Sequence, residues 1–135
     1  MTQRVRRTDI RLLVVHWHPV VLRGLVAYLG HAPGFALVGK AATCEEALGI
    51  MAELHPDIVV MGYSTPLMRG MEATRRLAES HPGVRVVLVG ASGGAERMVG
   101  TLQCGGAGYM LLDTPPSEML ETLRGLSRGA RGTVA

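Results

Sequence analysis

Five short apolar runs, at residues 11–15, 35–41, 58–61, 84–89 and 108–111, alternate with five stretches whose apolar residues recur every three or four positions. The runs are rich in Val, Leu and Ile and lack polar alternation, so each reads as a parallel strand covered on both faces. The intervening stretches, residues 19–29, 44–54, 71–80, 95–103 and 117–126, read as amphipathic helices. Punctuation agrees with these limits. Thr43 precedes Glu45 and Glu46 at a helix start, HAPG and HPG interrupt the chain after the first and third helices, and Pro115 and Pro116 open the last one. A repeated strand–helix order with short connections requires right-handed crossovers. The expected fold is therefore α/β: a (βα)5 doubly wound, parallel five-stranded sheet in a three-layer sandwich. Ligands of such sheets sit beyond the carboxyl ends of the strands, where the winding reverses. The positions just after the strands are His16, Trp17, Gly62, Gly90 and Leu112.

Length and composition narrow the class. The 135 residues, 47% hydrophobic and 19% charged, suit one globular domain with its own core. No apolar stretch approaches the ~20 residues of a membrane span, and the arginine-bearing start lacks a signal-like apolar segment, so a cytoplasmic location is expected. Cys44 and Cys104 match neither a zinc nor a redox spacing and read as small buried hydrophobes. The net charge of +3 owes much to Arg4, Arg6, Arg7 and Arg11, and no helix face gathers basic residues, so direct DNA binding is not expected. The expected organisation is a basic tail at 1–9, a folded domain at 10–129, and a tail or linker start at 130–135.

The segments VVHWHPVVLRGL, PGFALVGKAATCEEAL, PDIVVMGYSTPLMRGMEATRRL, HPGVRVVLVGAS and GAGYMLLDTPPSEMLETLRGLSRG together resemble a response-regulator receiver domain of the NarL/LuxR type, over residues 10–128. The resemblance implies a flavodoxin-like fold and descent from a phosphoryl-accepting module of two-component signalling. In the family pattern an acid pair stands where this chain has His16 and Trp17. The accepting aspartate stands at Gly62, a Thr or Ser at Gly90, and a lysine at Leu112. The surrounding His18, Pro19, Pro66, Gly70 and the switch aromatic Tyr109 are kept. In receivers that switch, the aromatic at this position moves inward as the hydroxyl moves toward the phosphoryl group.

The chemistry stands without the family. An aspartyl phosphate needs a carboxylate nucleophile, and glycine has none. Magnesium prefers oxygen ligands and is usually held through carboxylates, which His16 and Trp17 lack, so no magnesium is expected. Leu112 and Gly90 cannot neutralise or orient a phosphoryl group. Asp113 belongs to the turn before the last helix and Asp57 starts its strand at the far end of the sheet. The chain is expected to be no enzyme and no phosphoacceptor. Two histidines, His16 and His18, without a third ligand make only a weak metal site, so no metal is expected.

One reading of the altered pocket folds Trp17 over the two glycines with Leu112 packed against it. The other leaves an open site for a small organic molecule, lined by His16, Trp17, Tyr109 and Leu112. With no hydroxyl at Gly90, Tyr109 should be held by packing alone. Met98, Met110 and Met119 read as core at helical spacing. The first functional expectation is an atypical, phosphorylation-independent regulatory module of a transcriptional regulator. It would form a homodimer or contact another regulator, or its own C-terminal DNA-binding domain, which is absent from this chain. The second is a pseudo-receiver that senses a metabolite.

Overall fold

The computed structural model describes residues 9–63, 70–128 and 133–134. The chain order is β1 (Ile10–Val15), α1 (Pro19–Gly30), β2 (Phe35–Ala41), α2 (Cys44–Leu54), β3 (Ile58–Gly62), α3 (Gly70–Ser80), β4 (Arg85–Gly90), α4 (Ala95–Gln103), β5 (Gly108–Leu111), α5 (Pro116–Ser127) and β6 (Thr133–Val134). All strands run parallel in one sheet of order β2-β1-β3-β4-β5-β6. The winding reverses between β1 and β3, as a doubly wound sheet requires. The five expected strands form the body of the sheet. A sixth, of two residues, lies in the segment assigned to the C-terminal tail and pairs Gly108 with Thr133 and Tyr109 with Val134. Two residues carry no periodicity to read. The expected basic tail before Asp9 and the loop holding Pro66 lie outside the described residues.

Strand alternation sorts the core into two layers. Leu12 and Val14 of β1, Ile58 and Val60 of β3, Val87 and Val89 of β4 and Met110 of β5 pack with Leu25 and Leu29 of α1 and Leu123 of α5. Leu13, Val15, Val59, Met61, Val86, Leu88 and Tyr109 face the other way, against Met51 of α2, Leu77 of α3 and Met98 of α4. Burying each large aliphatic side chain contributes about 1.5–3 kcal/mol before entropy is counted. Local signals hold too. Thr43 Oγ1 accepts from the Glu46 N–H at 3.1 Å while Glu46 Oε2 accepts from the Ala42 N–H at 3.2 Å, a reciprocal cap for α2. Cys44 and Cys104 are both free and buried, and burial pushes the Cys44 thiol up from its ordinary pKa. Met98, Met110 and Met119 are core residues as expected.

Asp57 sits at the amino end of the sheet. Its carboxylate accepts from the Arg11 N–H at 2.8 Å, and the Arg11 guanidinium donates to the carbonyls of Leu54 and His55 at 2.6 and 3.2 Å. This clasp ties α2 to β1, far from the strands' carboxyl ends.

Candidate functional site

The register pairs Val15 with Met61, so the chain leaves β1 beside the last residue of β3. Here His16 is buried, 7% exposed. Its Nδ1 accepts from the His18 N–H at 3.0 Å, a side-chain-to-backbone turn that fixes the ring and leaves Nε2 to carry the proton of the neutral imidazole. The ring then lies across Gly62: a Cβ there would stand 2.9 Å from His16 Cδ2 and 3.1 Å from Nε2. Histidine thus fills the space that a side chain at residue 62 would need. Burial, reinforced by repulsion from His18, lowers the His16 pKa below its ordinary 6.5.

The second glycine is closed by Tyr109. A Cβ at Gly90 would collide with the Tyr109 hydroxyl and come within 3.2 Å of its Cζ and 3.1 Å of Arg97 Nη1. Tyr109 is fully buried and turned inward. Its hydroxyl donates to the Ser92 carbonyl and accepts from Arg97 Nη1 at 3.2 Å. Tyr63 meets the Tyr109 ring edge-on, with centroids 5.7 Å apart at 88°, and the Arg97 guanidinium stacks 4.2 Å above the Tyr63 ring. The hydrogen bond to Tyr109 holds the Arg97 pKa above its ordinary value, which favours the cation. Tyr109 is therefore anchored by hydrogen bonds as well as by packing, where packing alone was expected.

Two positions behave differently from the sequence reading. Trp17 does not close the pocket. It is 44% exposed, lying beside the His16 ring at 6.2 Å and meeting His18 edge-on at 5.3 Å. The bond that locks His16 inward turns the next side chain out. Leu112 packs its side chain on the α1/α5 layer rather than over the glycines, while its N–H donates to the Gly90 carbonyl at 2.9 Å. Alternation past β5 explains this, since Met110 and Leu112 share one face and Tyr109 the other. The site thus joins the His16 side chain with Gly62 and the Tyr109 side chain with Gly90, while the Trp17 side chain is largely exposed and that of Leu112 packs on the other layer. Gly70 opens α3 with its N–H on the Tyr63 carbonyl at 2.8 Å, where a Cβ would come within 2.8 Å of the Gly62 carbonyl oxygen.

Arg97, Tyr63 and Ser92 escaped sequence reasoning. Arg97 lies one turn into α4 and would pass for a solvated charge; only the fold brings it over Tyr63. Among the described residues the site offers an imidazole, two phenols and a guanidinium, with no carboxylate oxygen. No group of three His, Cys, Asp or Glu side chains suited to a metal occurs among the described residues. This donor set does not fit magnesium.

The response regulator receiver domain family matches residues 12–124. The chain is 38% identical over 122 residues to the response regulator GacA of Pseudomonas viridiflava, covering 90% of this chain and 57% of that protein. It therefore spans little more than half the length of such relatives. Among solved structures, a LuxR-family two-component response regulator from Aurantimonas sp. SI85-9A1 superposes with a TM-score of 0.85 at 28% identity, covering 94% of this chain and 89% of the other. The signal receiver domain of the putative response regulator NarL from Mycobacterium tuberculosis superposes at 0.82 with 26% identity, covering 90% and 98%.

Proposed function

This chain belongs to the response regulator receiver family, and we propose that it serves there as a phosphorylation-independent interaction module of a transcriptional regulator. One observation carries the reading: Tyr109 is held inward by Arg97 and the Ser92 carbonyl, in space that Gly90 leaves free. A switching receiver needs a phosphoryl group to favour that arrangement. Here the anchoring groups belong to the chain itself, and a two-state element responds only to something that distinguishes its states. His16 over Gly62 supports the same reading, because it closes the place of the accepting carboxylate. The module then offers a fixed surface, and regulation passes to its abundance or its partners. These are a second copy of the chain and, in a longer protein, a DNA-binding domain in the cytoplasm. Neither magnesium nor catalysis is required.

A metabolite in the remodelled phosphorylation pocket is the weaker reading, since His16 and Tyr109 occupy the room it would need. Incubation with acetyl phosphate and magnesium, read by intact mass and thermal melting, tests the proposal. Mass and melting temperature should stay unchanged, and sedimentation should show pairing that beryllium fluoride does not alter. A covalent phosphoryl adduct, or a melting temperature raised by beryllium fluoride and magnesium, would sink it.

A further inference from the structure

The body of the sheet ends in two unlike edges, β2 and β5. Along β2 the register slips opposite Leu12 and Leu13, and the strand carries the exposed Lys40, so a bulge and a charge both discourage further pairing. β5 has no charge, no proline and an unbroken register against β4. An edge of that kind offers its backbone groups to any extended segment that reaches it. Here β6 takes the place, in parallel, with Thr133 beside Gly108 and Val134 beside Tyr109.

Backbone alternation decides which groups meet. The Arg85 N–H donates to the Asp57 carbonyl and the Tyr63 N–H to the Val89 carbonyl, so Arg85, Val87 and Val89 turn their backbone groups toward β3. Val86, Leu88 and Gly90 therefore turn theirs toward β5, and the Gly90 carbonyl accepts from the Leu112 N–H. In a parallel pair, a residue whose backbone groups face the neighbouring strand stands opposite one whose groups face away. Tyr109 stands opposite Leu88, so its N–H and C=O point outward, to β6. By the same rule Thr133 turns its backbone groups toward β5 and Val134 turns its own away. The residue whose ring is held by Arg97 and the Ser92 carbonyl is thus also the one whose backbone receives β6.

We propose that the outer edge of β5 is a strand-docking surface whose occupant is the chain's own C-terminal segment, seated in cis through Thr133 on the Tyr109 backbone. Recognition is by main-chain groups, strand added to strand. Docking fixes where the chain leaves the receiver, beside the inward tyrosine, and keeps the same edge from pairing with another copy. It goes beyond the interaction module proposed above and is independent of whether the phosphorylation pocket takes a phosphoryl group.

Amide exchange and cross-strand NOEs, read by NMR on the whole chain, test the assignment. The Thr133 and Tyr109 amides should exchange at least about tenfold more slowly than unstructured ones, with NOEs joining Tyr109 to Val134. Thr133→Pro removes the N–H that faces β5, so it should abolish those NOEs and speed Tyr109 exchange about tenfold or more. Val134→Pro removes an N–H that faces away and should leave the Tyr109 amide protected. In a mixture of labelled and unlabelled chains the NOEs should arise within single chains. The proposal is overturned if the parent's Thr133 amide exchanges at the unstructured rate, if the two proline variants behave alike, or if the NOEs connect different copies.

Discussion

Gly90→Ala adds one methyl where the Tyr109 hydroxyl lies, with Arg97 Nη1 at 3.1 Å and Tyr109 Cζ at 3.2 Å from the new carbon. The tyrosine is rigid and fully buried, so it must leave its seat. Leaving costs the bonds to the Ser92 carbonyl and from Arg97, about 1 kcal/mol each, and the edge contact with Tyr63, about 1 kcal/mol more. The variant should therefore lose about 3 kcal/mol, or about 10 °C in melting temperature. Thermal denaturation by circular dichroism measures the loss, and NMR of ring-labelled tyrosine reports whether Tyr109 becomes exposed. Tyr109→Phe removes the colliding hydroxyl, so in its background the Gly90→Ala penalty should shrink by about 1 kcal/mol or more. A Gly90→Ala protein that melts within about 2 °C of the parent, with Tyr109 still buried, would refute the idea that the missing side chain makes room for the inward tyrosine.

Gly62→Asp restores a carboxylate but places its Cβ 2.9 Å from His16; it should cost about 1–3 kcal/mol and still take up no phosphoryl group from acetyl phosphate, as intact mass will show. His16 gives a pH signature. Its folded pKa lies below the ordinary 6.5, so the unfolded chain binds the proton first. Its contribution is complete above about pH 6.5, declines as pH falls through the window below that value, and levels off beneath the lowered folded pKa. Urea midpoints should show a steeper acid loss in the parent than in His16→Asn, and parallel curves would count against a buried neutral imidazole. Trp17→Ala should change stability by less than about 1 kcal/mol, and the parent's single indole should be readily quenched by acrylamide. Blue-shifted, protected emission would place Trp17 inside after all.

Every element from β1 to α5 was legible because each carries its own periodicity over at least four residues, and caps such as Thr43 mark the joins. The missing carboxylate at Gly62, hydroxyl at Gly90 and amine at Leu112 were legible for a simpler reason: they are properties of single residues, whatever their neighbours do. What fills the gap was not. His16 and Trp17 are adjacent and both aromatic, and one hydrogen bond, from the His18 N–H to His16 Nδ1, decides which turns inward. Arg97 reaches Tyr109 across twelve residues only because α4 packs beside β5. Composition and periodicity determine which segments form and which side-chain groups each position can offer, since those are properties of single residues and local stretches. The occupant of a vacated space is decided by contacts among residues distant in sequence, and those exist only once the layers have closed.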